Sequence, residues 1–411
     1  MSATPDFYTG APLEPGDLRF REEFIDELWE TLRTQHLVLS APRRTGKTSV
    51  LDFLAAHPRE GFVSIPVFVQ DICHPADFIL LMLDLFHERH PRLFRKLFQS
   101  GGKLIGKALG RISELETGGF KITLRQQDPE WRDNWKAYGD EFFAEVRNNK
   151  EQQRLLMLVD EFPDMILNMR QDHPGLVRPF LAWFRGHRLK PNPRQDLVRW
   201  CICGSVNLSS TLDGLGCLDE INDLHDVPLP VLTTEEVKRF VHEMLAARGV
   251  EFAAQVPARV AVELGRPVPV FLQMVTLDLF RMWKRTGRRL TRRDVSAAFT
   301  DLIVSSGARD KLQHFHSRID RYYAPPRRAA AHSLLARLSV SASGLSRAAM
   351  LADFERVIHE HGETAPADTR RRIFNQLMRD LENDFYVAEL EPDTFDFASG
   401  LLKQWWKKYY A

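Results

Sequence analysis

The stretch Leu37-Val38-Leu39-Ser40-Ala41-Pro42-Arg43-Arg44-Thr45-Gly46-Lys47-Thr48-Ser49-Val50-Leu51 decides the fold. A short apolar run enters a turn of small and basic residues, and a helical pattern to about position 56 leaves it. The spacing is that of G-x-x-x-x-G-K-[ST], with Ala41 in place of the first glycine. Phosphate chemistry needs this order. Backbone N–H groups of a turn and a helix N-terminus surround phosphate oxygens, and the helix dipole favours their charge. Gly46 lets the backbone approach, the Lys47 ammonium reaches the β- and γ-phosphates, and the Thr48 hydroxyl joins a Mg²⁺ shell. Ala41, Pro42, Arg43, Arg44, Thr45, Gly46, Lys47, Thr48 and Ser49 are therefore the candidate nucleotide contacts. The bland reading is an ordinary β–α turn.

A second cluster narrows the choice. Residues 155–159, Leu-Leu-Met-Leu-Val, form a continuous apolar run of the kind buried on both faces of a parallel sheet. Asp160-Glu161 ends it. Alone, this pair reads as a solvated strand end. Beside Lys47 and Thr48 it reads as the other half of one site, with Asp160 and Thr48 on the metal and Glu161 polarising the attacking water. A third candidate strand, 198–203, ends in Gly204-Ser205-Val206-Asn207. That places Ser205 or Asn207 near a γ-phosphate, or it is a plain Gly-Ser turn. Cys201 and Cys203 alternate on one strand face, which suits packing and not a zinc knuckle.

Working outward, helical spacing covers 20–36, and 62–69 reads as a strand whose Pro66 demands an edge or a bulge. A helix is expected over 76–98, a Gly-rich insertion with a helix and a hairpin over 99–128, and a helix over 136–148. Strands alternating with helices make residues 1–232 an α/β domain with a parallel sheet. From 233 onward four helices follow at 234–248, 254–264, 267–285 and 291–304. After Pro325-Pro326 come helices at 328–340, 346–361 and 367–384, strands at 385–390 and 394–398, and a helix at 400–410. The expected division is 1–232, 233–324 and 325–411.

Composition sets the outer limits. At 411 residues the chain is too long for one ordinary core, and 44% hydrophobic with 27% charged residues is globular. Fifty-six Lys and Arg against 55 Asp and Glu leave a net charge of +1, so any nucleic-acid surface must be local. Four cysteines cannot build a disulfide framework. No basic-then-apolar leader opens the chain, and the longest apolar run, 78–86, is broken by Asp84 and falls short of the ~20 residues of a membrane span. A soluble, cytoplasmic protein is expected.

With these residues in view, Pro42-Arg43-Arg44-Thr45-Gly46-Lys47-Thr48-Ser49-Val50-Leu51 resembles the PRRxGKTSLL loop of AAA+-related ATPases of the archaeal-type and STAND-like, origin-recognition-like group. Leu158-Val159-Asp160-Glu161-Phe162-Pro163 is similar to their viDEfp segment, and Gly204-Ser205 to the GS of their sensor strand. Phe20-Arg21-Glu22-Glu23 resembles a degraded F-x-G-R-E lead-in motif whose glycine is missing. Gly265-Arg266-Pro267-Val268-Pro269 resembles the Gly-Pro motif of their helical lid, and the tail from Phe395 to Trp406 the end of their winged helix. The resemblance implies a P-loop NTPase parallel sheet of the ASCE/AAA+-like type, five-stranded, with Glu161 on the strand beside the phosphate loop. It implies a helical lid over 233–324, a winged helix-turn-helix over 325–411, ATP and Mg²⁺ as cofactors, and Pro269 near the base. Catalytic roles fall to Glu161, Lys47 and Ser205.

The activity expected is Mg²⁺-dependent ATP hydrolysis that moves the lid and winged helix, on DNA or in a multi-subunit assembly. The alternative is a nucleotide-gated DNA-binding regulator or protein scaffold with little turnover. Arg370-Arg371-Arg372 opens the helix that would face double-stranded DNA, while Asp380, Glu382 and Asp384 on that helix would repel it. The seven basic residues between 281 and 293 read as a nucleic-acid patch or as a solvated helix end. Turnover also needs a cation that a neighbouring subunit could supply, for which Arg178, Arg185, Arg188 and Arg199 are candidates. His314 with His316, and His359 with His361, show no carboxylate partner at ligand spacing, so no metal is expected there.

Overall fold

The computed structural model describes residues 6–9, 12–41, 44–59, 61–98, 104–105, 129–149, 152–189, 195–204, 208–304, 306–362 and 364–411. They form two compact units, one of Leu13–Ala41 with Lys47–Leu229, the other of Pro230–Ala411 with Met1–Pro12 and Pro42–Gly46. The insertion expected over 99–128 lies outside the described residues except for 104–105. Among the described residues no helix is long and apolar enough to cross a membrane.

The first unit runs α1 (Glu22–Leu32), β1 (Leu37–Ser40), α2 (Lys47–Ala56), β2 (Phe62–Phe68), α3 (Pro75–Arg89) and α4 (Pro91–Phe98). It continues with α5 (Trp135–Arg147), β3 (Arg154–Asp160), α6 (Phe162–Asp172), α7 (Val177–Arg188), β4 (Val198–Cys203) and β5 (His225–Pro228). The five strands make one parallel sheet in the order β2-β3-β4-β1-β5. This corrects one expectation: the strand carrying Asp160 is not beside the phosphate-loop strand, because β4 lies between them. Pro66 sits on β2 at the sheet edge, where its missing N–H leaves no ladder partner wanting. The helix expected over 76–98 is two, since Pro91 cannot continue α3.

Alternation along the strands builds two cores. Leu37, Leu39, Leu156, Leu158, Cys201 and Cys203 pack with α1 and α2. Leu155, Met157, Val159, Val198, Trp200 and Ile202 pack with α3, α5, α6 and α7 on the other face. Full burial of such side chains contributes about 1.5–3 kcal/mol each, which is why β3 is apolar from Leu155 to Val159. Burial pushes the Cys201 thiol up to about 12, so the cysteine pair packs as small protonated side chains.

Arg199 is the odd residue in this interior. It is fully buried on β4 and donates to the carbonyls of Leu32 (2.9 Å), Arg33 (3.0 Å), Asp196 (3.1 Å) and Val198 (2.8 Å). Burial, then the neighbouring Arg154 charge, lowers it only to about 10, so it stays charged and ties α1 to the sheet. Arg188 is equally buried and makes a two-pronged bond to Asp223 at 2.8 Å. Neither is placed to serve a neighbouring subunit, which removes both from the trans-acting candidates. Arg178 is exposed and bonded to the Gly216 carbonyl, and Arg185 bonds Asn222 at 3.0 Å.

The second unit opens with α8 (Thr234–Ala246), α9 (Val256–Leu264), α10 (Pro269–Thr286), α11 (Arg292–Val304) and α12 (Ser306–Tyr322). It continues with α13 (Pro325–Val340), β6 (Leu345–Ser346), α14 (Arg347–Glu360), α15 (Ala367–Asn383), β7 (Val387–Glu391), β8 (Thr394–Phe397) and α16 (Gly400–Tyr410). The three short strands form an antiparallel sheet in the order β6-β8-β7. Helix α12 was not expected. Its apolar stripe is narrow (Leu312, Phe315 and Ile319 are buried) and charge fills the rest. Gly265, at φ +67°, bridges to Ser399, and a Cβ on Gly400 would lie 2.3 Å from the Glu263 carbonyl oxygen. At this point the end of α9 and the start of α16 meet backbone to backbone, with no room for a side chain at Gly400.

Two expectations about charge also change here. Asp380 is buried against Arg327, and Asp384 meets Arg318 at 3.2 Å, so these carboxylates face inward. His316 does have carboxylate company, because Asp320 one turn on lies 3.4 Å from it.

Removing Arg199 should leave the Leu32, Asp196 and Val198 carbonyls short of a donor, while the Arg33 carbonyl keeps Arg154 at 2.7 Å. Arg199→Ala is expected to lower stability by about 3–5 kcal/mol in thermal or denaturant unfolding. A variant as stable as the wild type would contradict the role assigned to Arg199.

Candidate nucleotide site

Parallel register brings the carboxyl ends of the strands level. Leu39 pairs with Cys203, Val159 with Ile202, and Ser40 with Pro228, so Ala41, Asp160 and Gly204 all leave the sheet along one edge. That edge is where an open α/β sheet presents its ligand site.

Helix α2 starts at Lys47, and the turn before it is possible only with unusual backbone angles. Gly46 has φ +99°, a region that side chains avoid, and Arg44 has φ +65°. The buried Lys47 reaches back across the turn, its Nζ donating to the Ala41 carbonyl at 2.5 Å. One residue on, the Thr48 hydroxyl donates to Asp160 Oδ2 at 2.6 Å. Ser49 points elsewhere, accepting from the Leu13 N–H at 3.0 Å.

Asp160 is buried at the tip of β3 and gathers three donors: Thr48, the Glu161 N–H at 2.9 Å, and the Cys203 thiol at 3.0 Å. Sequence reasoning read Cys203 as packing alone and missed this last bond. The signal lay in the register, which sequence does not give. Burial, then Asp160, drives the Cys203 thiol well above its ordinary range, so the thiol keeps the proton it donates. Burial, then the nearby Asp160, also raises Asp52 on α2.

Glu161 is half-buried and left-handed, φ +61°, at the N-cap of α6. For a residue with a Cβ that conformation costs about 1–2 kcal/mol. Such strain persists only where surrounding structure enforces it. The enforcement is visible at Gly204, where a Cβ would lie 2.3 Å from Pro163 Cδ and 3.6 Å from Glu161 Cα. Gly204 and Pro163 lock the turn that aims Glu161. Phe20, just before α1, is also left-handed, φ +59°.

Pro42, Arg43, Ser205, Val206 and Asn207 lie outside the described residues. Thr45 is buried, and Pro269 opens α10 in the second unit. The donor set suits a hard cation: a hydroxyl, a carboxylate and no sulfur or nitrogen aimed as a ligand. With its proton spent on Asp160, Thr48 keeps oxygen lone pairs for that cation. The Lys47 ammonium beside the turn suits phosphate.

The Gly204 contact makes a sharp prediction. Gly204→Ala must push Pro163 and Glu161 apart and should lower stability by about 1–3 kcal/mol. The melting temperature should fall about 2–4 °C per kcal/mol. Unchanged melting would show that the Gly204–Pro163 contact does not constrain the turn.

No protein-family model matches the chain, and no curated protein matches it. Solved structures do. The chain is similar to the Walker-type ATPase paby2304 of Pyrococcus abyssi, at 16% identity and a TM-score of 0.61 over 97% of this chain and 99% of that one. It is also similar to the ORC2 protein of Aeropyrum pernix, solved in ADPNP–ADP complexes, at 13% identity and a TM-score of 0.52 over 95% and 92%. The chain has the α/β fold of these proteins, a five-stranded parallel sheet followed by a largely helical C-terminal region.

Proposed function

We propose that the chain is a P-loop ATPase of the AAA+ kind, binding ATP with Mg²⁺ on residues 41–49 and hydrolysing it. The observation that carries this reading is the meeting of Thr48 and Asp160 across 112 residues, with Lys47 and Glu161 adjacent. Lys47 would hold the β- and γ-phosphates, and Thr48 and Asp160 would hold the cation. Mg²⁺, when bound with the triphosphate, neutralises charge developing between the β- and γ-phosphates. Glu161 would orient the lytic water and accept its proton, aimed by the turn that Gly204 and Pro163 fix. Ser205 is proposed to contact the γ-phosphate, and Pro269 the base. An arginine in trans remains part of the proposal, with Arg178 and Arg185 the candidates that are left.

The C-terminal portion is proposed to be a winged helix that ATP turnover re-aims. Three helices, α13 to α15, with an antiparallel β6-β8-β7 sheet support it. Arg371 and Arg372 on α15 are exposed, while Arg370 is half-buried and donates to the Ala365 carbonyl at 2.6 Å. With Asp380 and Asp384 paired inward, the face bearing Arg371 and Arg372 is more basic than the sequence suggests, which favours double-stranded DNA as the partner.

Two measurements test this. Glu161→Gln should lower ATP turnover about 10²–10⁴-fold while keeping ATP affinity, whereas Lys47→Ala should lose affinity itself. Wild-type turnover in Glu161→Gln would contradict the base assignment, and wild-type ATP affinity in Lys47→Ala would contradict the site. For DNA, replacing Arg371 and Arg372 by Ala should reduce the slope of log K against log salt by about 2. An unchanged slope would place the DNA contact elsewhere.

A further inference from the structure

The second unit contains a cluster that nucleotide chemistry does not use. His316 and Asp320 lie one turn apart on α12, and His332 lies on α13. Asp320 divides its carboxylate between the rings: Oδ2 is 3.4 Å from His316 Nδ1 and Oδ1 is 2.9 Å from His332 Nε2. One ligand atom from each residue falls within 4.8 Å of the other two. We propose that His316, Asp320 and His332 form a site for a zinc-class divalent cation that clips α12 to α13.

The donor set and the spacing fit such an ion. Two imidazoles and one carboxylate are a donor set that zinc takes at about 2.0–2.2 Å per ligand, leaving a fourth position for water. Tetrahedral ligands at those lengths stand roughly 3.3 Å apart. The two nitrogen–oxygen separations bracket that value but reach different oxygens, so the carboxylate has to turn one oxygen to the ion and the histidine-to-histidine edge has to close.

The rings are also held in place. His316 stacks on Tyr410 at 4.0 Å and 18° and meets His332 at 4.4 Å. Tyr410 is itself fixed by its hydroxyl, which donates to Gln313 Oε1 at 2.8 Å. Buried Trp406 closes the cluster at 5.5 Å from His316 and 6.2 Å from His332. Pre-set rings reduce the ordering a metal must otherwise impose.

Imidazole binds metal through a free ring nitrogen, which both histidines present toward Asp320. Access is open, because the Asp320 side chain keeps 47% of its surface exposed. A cation here would fasten the last helix before Pro325 to the first helix after it, and so stiffen the junction ahead of the small β-sheet.

The test is zinc titration of the untagged full-length chain, stripped with a chelator, followed by calorimetry and by Co²⁺ absorption. One ion per chain is expected, with intense Co²⁺ bands of a low-coordinate site. His316→Ala, His332→Ala and the near-isosteric Asp320→Asn should each weaken binding at least tenfold, by analogy with the 10–100-fold losses seen even for supporting residues. Zinc should raise the wild-type melting temperature and leave those of the variants unchanged. Melting in chelator alone checks that each variant folds. Failure of zinc and Co²⁺ to bind the wild type, or equal affinity in all three folded variants, would overturn the proposal. Neither result bears on ATP binding at Lys47.

Discussion

One hydrogen bond organises the first unit, the 2.6 Å contact from the Thr48 hydroxyl to Asp160. It joins the first turn of α2 to the tip of β3, and it can form only if several other things are already true. The sheet must be parallel and in register, so that β1 and β3 end at the same level. β4 must lie between them, which sets their separation and brings the Cys203 thiol to the other oxygen of Asp160. The turn before α2 must adopt backbone angles that Gly46 tolerates. The apolar runs in β1, β3 and β4 exist to meet these conditions, since strands buried on both faces hold register through packing on each side.

Two buried charges in this interior gather several partners each. Arg199 serves four carbonyls at once, and Asp160 takes donors on both oxygens. A buried charge left half-paired would cost several kcal/mol, so such residues either carry structure or carry function. Arg199 and Arg188 belong with structure. Asp160 carries structure and is proposed to carry function as well, because a hydroxyl and a thiol can release it to a cation more readily than an ion pair could. Backbone strain marks the same end of the sheet at Glu161, besides Phe20 ahead of α1.

Much of this was legible in the residues alone. The loop, the buried strand that ends in Asp160-Glu161, and the edge position of Pro66 each follow from a local rule of spacing or backbone freedom. What could not be read has a physical reason in each case. β5 has one buried residue in four, Val227, so its alternation carries almost no signal. Strand order is non-local, and so β4 between β1 and β3, and with it the Cys203–Asp160 bond, was out of reach. α12 was hidden by its charge, its core contact resting on Leu312, Phe315 and Ile319. The pairings of Asp380 and His332 needed helices that are adjacent in space, although His316 and Asp320 stood four apart for anyone counting.

The most direct test of this account is the Mg²⁺ dependence of ATP affinity in the wild type and in Asp160→Asn. If Asp160 and Thr48 together hold the cation, Mg²⁺ should tighten ATP binding in the wild type and do so far less in Asp160→Asn. Binding in the absence of Mg²⁺ should be similar in the two, since Lys47 and the turn are untouched. Equal tightening by Mg²⁺ in both proteins would mean that Asp160 is a structural carboxylate and that the cation, if one is used, is held elsewhere.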